Sequence, residues 1–274
     1  MSNYIQVSIP LKQKEQDEII IALLSEQGYE GFEESDGMIK AFIKEALYSQ
    51  SDLQEIAEPM GLSYSTAVIP QQNWNAHWES SFEPVTVENF AAVRASFHPE
   101  NKNVKHEIII TPKMSFGTGH HATTYMMIKQ MERLDLAGKT VVDFGTGTAV
   151  LAILAEKMGA AAITAIDNDE WSIENAKENI QANHCRHIGL HQSESIPQEG
   201  GFDVILANIN LNVILANMQA IASAARPGAQ VLLSGFLREN EEEITRSLQE
   251  HQLEYRNTTH RGEWLCINAV SAKK

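Results

Sequence analysis

The spacing of hydrophobic positions changes partway along the 274-residue chain, and the change separates two kinds of structure. Near the start, Tyr4, Ile5, Val7 and Ile9 follow the two-residue period of a strand. From Glu15 to Gln27 the apolar positions Ile19, Ile20, Leu23 and Leu24 gather on one side of a helix, which Gly28 stops. A short extended piece around Phe32, the turn Ser35-Asp36-Gly37, a strand from Met38 to Lys44, a helix from Asp52 to Met60 and a strand from Leu62 to Ile69 complete the segment. The order βαββαβ predicts a small α+β ferredoxin-like domain over residues 1–70. That fold serves many purposes, so it points to an adaptor module and to no particular chemistry.

Between Gln71 and Phe82, Trp74, Trp78 and Phe82 fall four residues apart and would form one aromatic stripe on a helix. Packing is the favoured reading of such a stripe, and residues 71–83 are expected to be a linker helix that Pro84 ends. Two strand-like runs follow, Phe90 to Phe97 and Glu107 to Thr111. From Lys139 strands alternate with helices, which is the mark of a parallel sheet covered on both faces. The expected strands are Thr140–Phe144, Ala162–Asp167, Ile188–His191, Phe202–Ala207 and Gln230–Ser234. The helices are Ala149–Met158, Glu170–Asn183, Leu211–Ala225 (stopped by Pro227-Gly228) and Glu239–His251. A terminal strand pair, Leu253–Thr259 and Glu263–Val270, closes the chain, so residues 84–274 read as an α/β doubly wound sheet with an antiparallel terminal strand.

Charge sharpens the picture. The formal net charge is −15. Residues 1–70 hold four lysines, Lys12, Lys14, Lys40 and Lys44, and no arginine against twelve carboxylates, so that quarter alone carries −8. Phosphate backbones are held by basic patches, which makes direct nucleic-acid binding a poor expectation and a basic protein partner a better one. A surface acidified for solubility explains the charge equally well. No run of 18 apolar residues occurs, and the start lacks an export signal, so a cytoplasmic protein away from membranes is expected. Cys185 and Cys266 lie in unrelated segments and read as reduced packing residues.

Candidate chemistry concentrates where strands run into helices. Val141-Val142-Asp143-Phe144 leads into Gly145-Thr146-Gly147-Thr148 and then an apolar helix. Glycines at such a turn let the backbone approach a ligand and aim helix N–H groups at it. Asp167 stands twenty residues after Gly147, at the end of the next strand, where an acid can take both hydroxyls of a ribose. A pyrophosphate would need a third glycine three positions beyond Gly147, and Val150 stands there; methyl transfer from S-adenosylmethionine fits better than a nicotinamide dinucleotide. Asp169 reads as a helix N-cap, and Asp143 as a brace for the glycine loop with a role beside the cofactor left open. Phe116-Gly117-Thr118-Gly119-His120-His121-Ala122-Thr123-Thr124 opens a helix through Met131 and has the makings of a loop that folds over a ligand. The adjacent histidines lack a third ligand at suitable spacing, so no metal site is expected. Asn208-Ile209-Asn210 arrives at the carboxyl edge of the sheet, where Asn208 could receive an amine or, equally, cap the next helix.

F-G-T-G-x-H-x-T-T, then D-F-G-T-G-T, A-I-D-x-D and V-I-L-A-N-I, in this order, resemble the bacterial methyltransferases of large-subunit ribosomal protein L11, the PrmA family. The similarity runs over roughly residues 72–270, including Asn73-Trp74 and Trp78; over residues 1–70 it rests on architecture alone. The resemblance implies a Rossmann-like S-adenosylmethionine-dependent enzyme that methylates lysine or N-terminal amines of a basic ribosomal protein. It assigns cofactor contacts to Thr124, Gly145, Asp167 and Asn208, with Phe116, Gly147 and Asp143 as further candidates, and amine positioning to Asn208. It also implies that the N-terminal domain grips the substrate protein. Two positions depart from the family pattern: Ala149, often glycine, and Asn210, often leucine. Ala149 should be tolerated if it is already helical and should crowd the cofactor if it is not. The rival readings are an amino-methyltransferase acting on a nucleic-acid base, a nicotinamide oxidoreductase and a non-catalytic binding protein of the same fold.

Overall fold

The computed structural model describes residues 3–10, 17–29, 31–35, 37–69, 82–112, 117, 119–197 and 201–273. Most of the expected linker helix, with Trp74 and Trp78, and the loop residues Phe116 and Thr118 lie outside them. Backbone contacts divide the chain into two units, Met1–His77 and Trp78–Lys274.

The first unit runs β1 (Tyr4–Pro10), α1 (Asp17–Glu26), β2 (Gly31–Ser35), β3 (Met38–Lys44), α2 (Gln50–Ala57) and β4 (Ser65–Ile69). Its sheet has the order β2-β3-β1-β4 with every neighbouring pair antiparallel, as in a ferredoxin-like sandwich. Alternation explains it. Ile5, Val7 and Ile9 pair with Ile43, Ala41 and Ile39, and all six are buried together with Ile20 and Leu24 of α1 and Leu53 of α2. Helix α2 starts two residues before the expected Asp52, because Ser49 accepts from the Asp52 N–H and caps it.

The second unit opens with a three-stranded sheet of β5 (Val85–Val87), β6 (Ala91–Ala95) and β7 (His106–Ile110), in which β6 pairs antiparallel with β5 and parallel with β7. Phe82 is buried ahead of it and packs against His98 and His120. There follow α3 (Ala122–Met131), β8 (Thr140–Phe144), α4 (Val150–Lys157), β9 (Ala162–Asp167), α5 (Glu170–Ala182), β10 (Ile188–Gln192), β11 (Phe202–Asn208), α6 (Leu211–Ala224), β12 (Ala225–Leu237), α7 (Glu241–Glu250), β13 (Leu253–Arg261) and β14 (Trp264–Ser271). The seven strands β8 to β14 form a sheet ordered β10-β9-β8-β11-β12-β14-β13. Strands β8 to β12 are parallel, and β14 lies antiparallel between β12 and β13. Its central strands are largely apolar because both faces are covered: Val141 points into one buried cluster with α4, and Val142 into the other with α6 and α7. Strand β12 begins at Ala225, directly after α6, so Pro227 and Gly228 belong to the strand and not to the expected loop. Among the described residues, no helix is long and apolar enough to cross a membrane.

Candidate functional site

At the carboxyl ends of the parallel strands, where the order reverses between β8 and β11, lies a cavity of about 750 Å³. Gly145 and Gly147 from the bend after β8, Asp167 from the end of β9 and Asn208 from the end of β11 all line it. These four sequence candidates are therefore brought to one place. Thr124 and Asp143 stand one layer back. Thr124 is fully buried and accepts from Asn208 Nδ2 at 3.2 Å. Phe116 is outside the described residues.

Local bonds explain the bend. Gly145 and Thr146 N–H groups both donate to the Ile166 carbonyl at 2.8 Å, which clips the bend to the end of β9. Asp167 Oδ2 accepts from Gly147 N–H at 2.9 Å and Oδ1 from Asp169 N–H at 3.1 Å, so the acid is aimed by the bend it faces. A carboxylate has about four acceptor directions, and two remain for a diol. Asp169 caps α5 through Ser172 N–H at 2.9 Å, in keeping with its capping assignment. Asp143 braces the bend: its Oδ2 accepts from Thr146 Oγ1 at 2.6 Å and from Ala152 N–H at 3.2 Å.

Burial pushes the Asp143 carboxyl up to about 6; the Thr146 and Ala152 bonds oppose the rise, and the Asp167 carboxylate adds to it. Because the folded value lies above the ordinary 3.8, the folded state holds this proton more tightly. Its stabilising contribution is complete below pH 3.8 and is lost as pH rises through about 6, by roughly 3 kcal/mol at 1.36 kcal/mol per unit. Asp143→Asn should remove that slope, seen as a smaller fall in urea-unfolding free energy between pH 4 and pH 7 than in the wild type. Equal slopes would show that the carboxyl titrates as an exposed one.

Asn210, one of the two departures, is the cap of α6 and accepts from Val213 N–H at 3.1 Å; it also lines the cavity. Asn208 therefore does not serve as that cap. Its Oδ1 is buried with no hydrogen-bond partner among the described residues. The other departure, Ala149, is not helical: it precedes α4 with φ 63° and ψ 18°. A non-glycine residue there is strained by roughly 1–2 kcal/mol, offset by its fully buried methyl. It does not line the cavity, so crowding of the ligand does not follow.

Sequence reasoning missed several lining residues. Gly235 sits near the end of β12 at a register shift opposite β14, one residue past the expected strand, and a glycine in a strand-like run was the available signal. Trp264 and His121 meet edge to face at 4.5 Å on the cavity wall. His121 Nδ1 accepts from Thr123 N–H and caps α3, and burial holds its imidazole below the ordinary value. Ser193 and Glu194 reach the wall from the end of β10. His120 packs edge-on against Phe82, and among the described residues no group of three His, Cys, Asp or Glu side chains could hold a metal ion.

This strand order, with a glycine bend after the first central strand and an acid after the next, defines the Rossmann-like S-adenosylmethionine-dependent methyltransferases. The family model for ribosomal protein L11 methyltransferase (PrmA) matches residues 3–272, and the chain belongs to that family. Similar proteins include the ribosomal protein L11 methyltransferases of Chlorobaculum parvum, 40% identical over 266 residues and covering 90% of each chain, and of Porphyromonas gingivalis, 38% identical over 258 residues and covering 91% of this chain and 89% of that one. Among solved structures, the ribosomal protein L11 methylase of Lactobacillus delbrueckii subsp. bulgaricus superposes with a TM-score of 0.65 at 26% identity, covering 70% of this chain and all of that one. A Thermus thermophilus 16S rRNA guanosine methyltransferase shares the fold at a TM-score of 0.50 and 20% identity, over 59% of this chain and 46% of that one, so the sheet alone does not choose the substrate.

Proposed function

We propose that this chain transfers methyl groups from S-adenosylmethionine to lysine or N-terminal amines of ribosomal protein L11, in the cytoplasm, with Asn208 receiving the amine. The observation that carries the amine reading is Asn208 Oδ1, buried and without a hydrogen-bond partner among the described residues, on a residue that lines the cavity. Leaving such an acceptor unsatisfied costs about 1–3 kcal/mol, which is recovered when an N–H donor arrives.

The bound cofactor supplies a methyl group on a positively charged sulfur, and transfer is an in-line displacement by a neutral amine. Positioning is the chain's main contribution. A lysine with an ordinary value near ~10.4 is protonated by about three units at neutral pH, worth roughly 4 kcal/mol, and a desolvated cavity reduces that cost. The ammonium proton leaves to water, and the Asn208 amide oxygen accepts from one of the two remaining N–H groups and turns the lone pair toward the methyl group. The acidic N-terminal unit holds the basic substrate protein by charge complementarity.

Asp167 is the ribose acceptor in this reading. Asp167→Ala should weaken S-adenosylmethionine binding by about 10- to 100-fold in calorimetry, the loss expected for hydrogen bonds to a charged group. An unchanged affinity would move the ribose elsewhere. The activity itself is tested by incubating the protein with S-adenosylmethionine and unmethylated L11 and reading intact mass. Steps of one methyl, diminishing as salt screens the acidic unit, support the proposal; an unshifted mass sinks it.

A further inference from the structure

Asn175 and Asn179 of α5 and Asn183, which caps the end of that helix, stand four residues apart. All three bond the outer edge of β7 and the residue after it, as a neighbouring strand would, with Asn175 Nδ2 donating to the Thr111 carbonyl at 3.5 Å. Asn183 Oδ1 accepts from Ile109 N–H at 2.9 Å while its Nδ2 donates to the Ile109 carbonyl at 2.6 Å, and Asn179 Oδ1 accepts from Thr111 N–H at 2.7 Å. The fully buried Asn179 also reaches the glycine bend: its Nδ2 donates to the Thr148 carbonyl at 2.9 Å and to Asn175 Oδ1 at 2.7 Å. Thr148 is itself fully buried, and its Oγ1 donates to the Gly117 carbonyl at 2.7 Å. A Cβ on Gly117 would stand 2.8 Å from that oxygen, so the approach excludes any side chain there. A few residues beyond Gly117 come His121, which lines the cavity, and Thr124, which holds Asn208 Nδ2.

We propose that Thr148, held from behind by Asn179, is a positioning residue for methyl transfer: its hydroxyl fixes Gly117 and thereby the start of α3, so that Thr124 keeps Asn208 turned to the amine. The inference rests on the reading of Asn208 as amine acceptor. Two independent sets of bonds separate its two sides. The cofactor side of the bend is held by the Ile166 carbonyl and Asp167, and the Thr148 carbonyl by Asn179, none of which uses the Thr148 hydroxyl. Loss of that hydroxyl therefore falls on the amine side.

The full-length Thr148→Val variant should show kcat for L11 methylation lower by about 10- to 100-fold, the scale of a displacement near 1 Å at a reacting centre. Its S-adenosylmethionine affinity should stay near wild type, and Thr148→Ser, which restores the hydroxyl, should restore most of the turnover. Gly117→Ala, which drives the same two groups apart from the other side, should give the same split and carries the test if the valine variant does not fold. The inference is overturned if turnover is unchanged, or if turnover, cofactor affinity and thermal stability fall together and serine repairs none of them. A wild-type protein inactive toward L11 overturns the functional reading and this inference with it. An active wild type with an equally active Thr148→Val variant overturns this inference alone.

Discussion

Asn208→Ala is expected to lower kcat for L11 methylation by about 10²- to 10³-fold, the usual loss for one preorganised polar group at a reacting centre, while S-adenosylmethionine affinity changes far less. The position of the side chain is the reason. Asn208 ends β11, a strand paired on both sides by β8 and β12, and its backbone is in register with Ser234. Its Nδ2 is committed to Thr124 Oγ1, which fixes the amide plane and leaves the buried Oδ1 as the acceptor without a partner among the described residues. Alanine removes the acceptor without moving the strand, so melting temperature should shift by much less than activity would suggest. Asn208→Asp keeps an acceptor but adds charge where burial disfavours it, and should recover only part of the rate. Turnover equal to wild type in the alanine variant would remove Asn208 from the chemistry and leave the unpartnered oxygen without a functional account.

The difference between what the sequence disclosed and what it hid follows from the range of the interactions involved. The bend and its acid were legible because they are local: one strand, two glycines, one helix and the next strand end place Gly145, Gly147 and Asp167 within a single βαβ unit. Strand bounds such as Thr140–Phe144 and Ala162–Asp167 were legible for the same reason, since strands covered on both faces are largely apolar. Trp264 was not legible, and Gly235 and His121 were legible only as a glycine in a strand-like run and as part of the 116–124 segment, because all three reach the cavity through the order of the sheet and the docking of α3. Nothing near Trp264 in sequence announces that β14 inserts between β12 and β13. The asparagines of α5 look like a solvated helix face until β7 is placed against them. Ala149 shows the converse: its identity suggested a helical residue, and the left-handed backbone is imposed by the bend, with Ala149 N–H donating to the Thr146 carbonyl at 2.8 Å.

Gly235→Ala is expected to be the most damaging single methyl in the catalytic unit, lowering unfolding free energy by about 3 kcal/mol or more and abolishing S-adenosylmethionine binding. Gly235 has φ 106°, outside the conformations open to other residues, and a Cβ there would overlap the Ile209 carbonyl oxygen, lying 2.6 Å from its carbon and 2.9 Å from its nitrogen. These are backbone atoms. They cannot rotate away, and Ile209 N–H is already bonded to the Ser234 carbonyl at 3.0 Å. Displacing Ile209 would also carry its side chain off Gly145, whose own Cβ position it occupies, and would pull the neighbouring Asn208 out of line. Gly228→Ala serves as the comparison, because Gly228 lies in the same strand with φ 76° but nothing stands within 4 Å of its Cβ position. That variant should lose only the strain of a left-handed alanine, about 1 kcal/mol. Urea unfolding and calorimetry with S-adenosylmethionine separate the two. Similar behaviour of the pair would mean that backbone strain alone sets the cost, and the close passage of β12 against Ile209 would then have no part in shaping the cavity.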